Sequence, residues 1–450
     1  MAVLRTLKQS HIVGTFRDYI NDGLTLAIIV SIGLFPLIAT QGLKTLLWLL
    51  ILSSFFNKDF VKNIKSNALI LLTCLQYPVV HLVLEFKSIS GSNSPGYSLD
   101  VFAPWIFGII AIILSAGFFQ PQSVNRIIKY TIPFGLIITF AYLSYLYISI
   151  GGKIEPTGFG GLFYFITPLM MTHFAFYYLF DLSKSSSRNL ILIFTLIALI
   201  LIVSLIFAQT RGISVAQILT ILTMSLVVFR RLGFFAAYPM IVCVCVVFIA
   251  GFSYLMAFDP GAAKRVTNIF QAVDNLKSFN SVPADTGYAD TSFKGSIFEK
   301  SAYFLDYTAE KIEYSGGTRL KMWSTALKEI ISHPMKIRGT SGETDLLSKS
   351  DYLKVHSHVH NMYLSWFLWG GPISLMSGLL FVAAPLIVHI FDKRKNAASI
   401  YLSLALTLFW AIAMIFDSFL KHAGVFHMYI PLVFITYWAT LSQTYEVSKI

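Results

Sequence analysis

Three histidines stand at alternate positions in Val355-His356-Ser357-His358-Val359-His360-Asn361. In an extended segment such residues share one face. Three imidazoles on one face admit a metal site, but no carboxylate or fourth ligand follows at a telling spacing. A titrating base or positioning group is the competing use, and a plain cap for the helix that follows is the third. Two arginines join the histidines as candidates. Arg319 lies in Gly316-Gly317-Thr318-Arg319-Leu320 at the expected start of an amphipathic helix. Free backbone N–H groups and the helix dipole favour an anion there, and a guanidinium adds a fork matched to phosphate oxygens. Arg211, in Ala208-Gln209-Thr210-Arg211-Gly212, falls in a tight turn between two apolar runs. It reads either as an anion site or as a side chain reaching from a helix end to water. Arg265, in Ala263-Lys264-Arg265, follows another apolar run and has the same two readings. Asp417 and Lys421 are four apart, with His422 beside them; they can pair with each other, or Asp417 can orient an arginine. His81 and Glu85 share that spacing near the end of an apolar run, where no role is expected of them.

The elements that carry these residues are apolar. The 450-residue chain is 56% hydrophobic and only 12% charged, against roughly 25% charged in a soluble domain. Lipid must therefore cover much of the surface. Runs of spanning size lie near 23–41, 43–57, 67–85, 101–119, 128–149, 159–181, 189–208, 212–229, 234–256, 372–391, 398–416 and 424–442. The expected fold is thus all-α and polytopic, with about twelve transmembrane helices. The first run follows Arg5, Lys8 and Arg17 with no clean cleavage site, so it reads as a retained helix. Cys74, Cys243 and Cys245 all lie inside apolar runs and read as buried hydrophobes.

Loop charge fixes the orientation. One set of loops holds Lys58, Lys62 and Lys65, then Arg126 and Lys129, Lys184 and Arg188, Arg230 and Arg231, and Lys393, Arg394 and Lys395. The alternate short loops hold one basic residue each: Lys44, Lys87, Lys153, Arg211 and Lys421. The first set is cytoplasmic, with both termini inside. The net charge of +12 is accounted for by these loops, so nucleic acid is not an expected partner. Nine spans in 1–256 precede a large outer loop, 257–361; an interfacial helix and three spans fill 362–450. Gln271–Gly317 is rich in Ser, Asp, Gly and Asn and reads as loosely structured. From Thr318, Leu320, Trp323, Leu327, Ile330 and Ile331 fall at helical spacing, with Thr318 as N-cap and Pro334 as the stop. A second short helix is expected from Asn361 to Trp369, ended by Gly370-Gly371-Pro372, with Tyr363, Trp366 and Trp369 at a membrane interface. Several Arg and a His group on the outer side, with no acidic cluster, suit a large anion such as a lipid-linked pyrophosphate.

Three motifs, in this order, resemble the bacterial O-antigen ligase family within the O-antigen ligase and polymerase superfamily. They are Gln209-Thr210-Arg211-Gly212; Gly317-Thr318-Arg319-Leu320-Lys321-Met322-Trp323 running to His333-Pro334; and His358-Val359-His360-Asn361-Met362-Tyr363-Leu364 before Gly370-Gly371. The resemblance implies a GT-C-like membrane glycosyltransferase of the inner membrane, with its active site on the periplasmic face. Its donor would be a polysaccharide on undecaprenyl diphosphate and its acceptor the lipid A–core oligosaccharide. His360, Arg211 and Arg319 take the catalytic positions; Arg265, His358, Asn361, Trp323 and Asp417 would bind substrate. Related membrane glycosyltransferases hold a metal with acids in the first outer loop. Here that loop reads Thr40-Gln41-Gly42-Leu43-Lys44, without an acid, so no cofactor and no metal are expected. An O-antigen polymerase is the nearest rival, though two sizeable Arg-bearing outer loops would be expected of it. A transporter of lipid-linked oligosaccharides is the rival from another class, and would show internal repeats and charges within spans.

Overall fold

The structure is a computed structural model. It describes residues 18–28, 35–90, 99–120, 315–350, 358–391, 397–416, 418–421 and 429–438, with 353, 356, 426 and 427 and scattered helical positions within 123–149, 215–257 and 299–309. Among the described residues the chain is all-helical, with no strand. Helical residues 18–28 are followed by α1 (Phe35–Phe56), α2 (Phe60–Ser66), α3 (Ala68–Ser90) and α4 (Ala103–Phe118). The C-terminal part holds α5 (Ser315–Ser332), α6 (Gly342–Ser348), α7 (Met362–Val382), α8 (Ala384–Phe391), α9 (Ala397–Phe416), a 3-10 turn at Phe419–Lys421 and α10 (Tyr429–Trp438).

Two differences from the sequence expectation bear on the candidate residues. Gly42 was expected in the turn between the first two spans, but α1 runs through it from Phe35. One glycine inside a helix costs only about 1 kcal/mol, too little to break a long apolar run. The segment 40–44 is therefore helix and not an outer loop. Helix α5 starts at Ser315, so Thr318 lies inside its first turn and is not the N-cap. Its end agrees with expectation: the last helical residue is Ser332, two before Pro334. The stretch read as loose also carries helical residues at 299, 301, 302, 304–306 and 309, and Asp306 pairs with Lys328 of α5.

Helix α3 is the centre of the packing, with α7, α4 and α8 against it. Its two faces are opposite in character. Leu72 is 65% and Phe86 68% exposed, whereas His81 is 1% and Glu85 2% exposed. Water would impose the reverse arrangement. The inward face bonds to α7 through neutral groups: Gln76 Nε2 donates to Ser377 O (2.9 Å), Ser377 Oγ to Gln76 Oε1 (2.7 Å), and Trp366 Nε1 to Tyr77 Oη (2.9 Å). His81 Nε2 meets Ser374 Oγ at 2.9 Å. Tyr77 stacks on Phe381 at 4.6 Å between ring centroids. At the opposite end of α3, Asn63 and Asn67 donate to the last carbonyls of α4, Gly117 O (2.9 Å) and Ala116 O (2.7 Å).

Helices α3 and α7 are long and apolar enough to cross a membrane. Helix α7 is, however, two pieces. Gly370 (φ −159°, ψ 27°) and Gly371 (φ 65°, ψ −151°) leave helical geometry before Pro372. The bend is sharp. Trp366 and Gly378 are twelve residues apart, roughly 18 Å along a straight helix, yet a Cβ on Gly378 would fall 2.2 Å from the Trp366 ring. Gly371 needs to be glycine twice over, for its positive φ and because a Cβ would lie 2.9 Å from Pro334 O. The break at Gly370-Gly371-Pro372 thus falls where the sequence put it. The interfacial role expected of two tryptophans does not hold: Trp366 and Trp369 are fully buried in protein.

Candidate functional site

The chemistry-bearing residues gather at the Glu85 end of α3. Four pieces meet there: α5, the turn 334–341 with α6, the loop that enters α7, and the C-terminal end of α9. The turn 334–341 is anchored from two sides. Arg338 N and Gly339 N both donate to Trp369 O at 3.0 Å, capping the first piece of α7 at its break. Glu85 Oε1 accepts from Thr340 N at 2.7 Å. Gly339 has φ +66°, and a Cβ there would fall 2.3 Å from Glu85 Oε2. Glu85 and His81, grouped by spacing in the sequence, therefore bond to different partners.

The histidine loop is held from beneath. Asn361 is the N-cap of α7: its Oδ1 accepts from Leu364 N (3.1 Å). Its Nδ2 donates to Ile415 O (3.1 Å) and its backbone N to Ser418 Oγ (3.0 Å). Trp323 Nε1 donates to Val359 O at 2.9 Å. The polar atoms of Asn361 and Trp323, both expected to bind substrate, are thus spent on the loop and the end of α9. His360 has φ 53°, a left-handed conformation for a non-glycine residue. The segment is not extended through His360, so the shared face expected of alternate residues does not form in that way. The turn at His360 brings its ring to 4.0 Å from that of His358 and 6.4 Å from that of His356, centroid to centroid. Among the described residues no three His, Cys, Asp or Glu form a group able to hold a metal ion.

Arg319 is exposed and sits one turn inside α5, not at its first residue. Its Nη1 donates to Phe416 O at 3.4 Å, a cation at the carbonyl end of α9. Arg319 and the His360–Asn361 corner therefore converge on one feature, the C-terminal end of α9 at Ile415 and Phe416 with Ser418 just beyond it. Arg211, Arg265 and Asp417 lie outside the described residues.

Sequence reasoning missed the residue that organises this end of the molecule. Glu343 in α6 is fully buried. Its Oε1 accepts from Val359 N (2.6 Å) and Ser365 Oγ (2.8 Å); its Oε2 accepts from Trp369 Nε1 (3.1 Å) and Lys421 Nζ (3.3 Å). A carboxylate has about four acceptor sites, and all are taken. Lys421, offered to Asp417 by its spacing, forms an ion pair with Glu343 across 78 residues of chain. A separate ion cluster braces the end of α5. Glu329 accepts from Arg338 and stands 3.4 Å from His333 Nδ1 and 4.0 Å from Lys336 Nζ. Burial alone would raise the Glu329 carboxyl, but the Arg338 hydrogen bond and charge, with His333 and Lys336, hold it below its ordinary 4.5.

No protein-family model matches the chain, and no curated protein matches it.

Proposed function

We propose that the protein is a polytopic inner-membrane glycosyltransferase, an O-antigen ligase that moves polysaccharide from undecaprenyl diphosphate to a sugar hydroxyl of lipid A–core. The observation that carries this reading is the convergence of Arg319 and His360–Asn361 on the end of α9. It gathers a cation and two imidazoles at one end of helices that are apolar on their outer faces.

The membrane part of the reading rests on α3, whose exposed face is apolar and whose buried face is polar. It also rests on consistency between contacts and loop charge. Loop charge assigns Glu85, Thr340, Arg319 and the end of α9 to the periplasmic side, and they touch in pairs, Glu85 with Thr340 and Arg319 with the end of α9. It assigns Asn63, Asn67 and the end of α4 to the cytoplasmic side, and these also touch. About twelve spans, with both termini inside, is the arrangement proposed for the whole chain, with the first two not divided at 40–44.

The chemistry is a direct displacement. The acceptor hydroxyl attacks the anomeric carbon of the first sugar, the bond to the diphosphate oxygen breaks, and the anomeric configuration inverts. Negative charge develops on undecaprenyl diphosphate. Arg319 and Arg211 are the cations assigned to that charge, with Arg265 a further contact; in low-dielectric surroundings fixed cations stabilise it strongly. His360 positions the acceptor hydroxyl or takes its proton, with His358 in support. No metal and no other cofactor enter this scheme.

The test is a strain lacking the gene and complemented with His360→Ala, with lipopolysaccharide and lipid-linked glycan both examined. The ligase reading expects full-length polysaccharide retained on undecaprenyl diphosphate and bare lipid A–core. Core capped by a single repeat unit would identify a polymerase instead. Normal long-chain lipopolysaccharide would remove His360 from the reaction.

A further inference from the structure

The carboxylate of Glu343 lies in none of the motifs discussed above, and its surroundings exclude three ordinary uses. It is fully buried, so it meets no solute. Its acceptor sites are filled by Val359 N, Ser365 Oγ, Trp369 Nε1 and Lys421 Nζ, so none is left for a metal or for a proton from substrate. It is also more than a helix-packing contact, because its four donors come from three separate pieces of this end. Val359 lies between His358 and His360, Ser365 is in the first turns of α7, Trp369 ends the piece of α7 before the bend, and Lys421 follows α9. Ser365 Oγ is 2.8 Å from Ser418 Oγ, which in turn accepts from Asn361 N. One carboxylate thus ties the backbone amide beside His360 to the segment after α9, on whose last turn Arg319 also rests.

We propose that Glu343, charge-paired with Lys421, is a positioning residue that sets the pitch of the His358–His360 loop against Arg319. The proposal rests on the reading of His360 as the group that meets the acceptor. The physical reason is the left-handed turn at His360. A non-glycine residue holds that conformation only when its neighbours over-determine it. The bonds on either side of the Val359 side chain supply that hold: Val359 N to Glu343 and Trp323 Nε1 to Val359 O. Neutralising Glu343 keeps one carbonyl oxygen for Val359 N and Ser365. It also points an NH2 group at Trp369 Nε1 and Lys421, both donors, so the side chain is pushed away and the loop with it.

Three full-length proteins separate this role from simple stability: Glu343→Gln, Lys421→Gln and the double variant. Misplacing a reacting group by about 1 Å costs on the order of 100-fold, so Glu343→Gln is expected to lose about that much turnover while KM for the lipid-linked donor stays within about twofold. In the double variant the two amides can hydrogen-bond to each other, and most of the turnover is expected to return. Full turnover in Glu343→Gln, or a loss that falls on KM and is not rescued, would overturn the proposal. A second measurement does not depend on transfer at all. In a chain whose three native cysteines are replaced by alanine, His356→Cys is labelled with a membrane-impermeant maleimide. Labelling is expected to quicken several-fold with Glu343→Gln and to slow again in the double variant. An unchanged rate in a folded protein rejects the positioning role. A changed rate in a protein that shows no glycan transfer supports the positioning role and rejects the ligase reading alone.

Discussion

The seam between α3 and α7 and the cluster around Glu343 both bury polar groups, but they do so with different chemistry. The seam uses neutral pairs: Gln76 with Ser377, His81 with Ser374, Tyr77 with Trp366. The serine partners can turn back to a carbonyl of their own helix if the bond across the seam is lost. The cluster uses charge, Glu343 with Lys421, as does the separate ion cluster at the end of α5, Glu329 with Arg338. A buried charge has no such substitute. The seam therefore holds helices together at low stakes. The cluster fixes loops that have no helical hydrogen bonds of their own, and it does so at high stakes. That contrast follows from what each region must do: apolar helices pack by shape, whereas the histidine loop needs its backbone amides held one by one.

The largest expected effect tests the charged side of the contrast. Lys421→Met leaves the Glu343 carboxylate buried with three neutral donors and no cation. Losing one member of a buried pair costs about 3 kcal/mol, and the purified protein in detergent should show a correspondingly lower unfolding midpoint. A change within error would mean that the neutral donors suffice and that the charge is incidental. Next in size is Gly371→Ala at the bend that joins the two regions. The glycine-only conformation costs an alanine about 2 kcal/mol, and its Cβ would press on Pro334 O. The expected readout is again a lowered midpoint, with Gly370→Ala as the comparison, since Gly370 has an extended φ and its added Cβ would first meet the flexible Leu84 side chain.

The same contrast explains what could be read in the chain. Helical character, the stop before Pro334 and the break at Gly370-Gly371-Pro372 follow from local chemistry, and sequence shows local chemistry well. The histidine motif was also visible, and so was Arg319. Glu343 was not. It is a single acid in the polar stretch Ser341-Gly342-Glu343-Thr344-Asp345, with no periodicity to separate it from its neighbours. Only the approach of Val359, Ser365, Trp369 and Lys421 gives it meaning, and those lie up to 78 positions away. Lys421 shows the same limit: spacing offers Asp417 as its partner, whereas the ion pair with Glu343 arrives only through folding. The tryptophans of α7 misled differently. An aromatic at the end of an apolar run suits an interface, but the bend turns Trp366 and Trp369 inward against α3 and Glu343.

A smaller effect, dependent on pH, comes from Glu329 in the separate ion cluster at the end of α5. Its folded carboxyl is held below 4.5, through Arg338 and its neighbours acting against burial. A depressed carboxylate adds stability above its unfolded value and loses it as pH falls through the folded one. Wild type should therefore be more stable than Glu329→Gln at pH 7. The gap should close below about pH 4.5 as the unfolded and then the folded carboxyl protonates. Unfolding midpoints at several pH values for both proteins give the comparison. A gap that persists unchanged to pH 3 would assign the difference to packing.

The smallest effect belongs to the seam. Gln76→Leu removes both hydrogen bonds to Ser377 at one stroke. Ser377 Oγ can turn back to the carbonyl four residues earlier in its own helix, Ile373 O. Ser377 O already belongs to a helix, so its loss of a side-chain donor leaves it with its main-chain bond. The leucine fills most of the volume that the glutamine leaves. Polar pairs between helices in lipid are worth about 0.6 kcal/mol on average, so the double loss should cost about 1 kcal/mol and leave the labelling rate at position 356 unchanged. Both parts matter. If Gln76→Leu destabilised the protein as much as Lys421→Met does, the seam would be as demanding as the cluster and the contrast would fail. If it altered labelling at position 356, movement in the seam would reach the histidine loop through the bend. The two regions would then act as one mechanical unit, with α7 as the connecting lever.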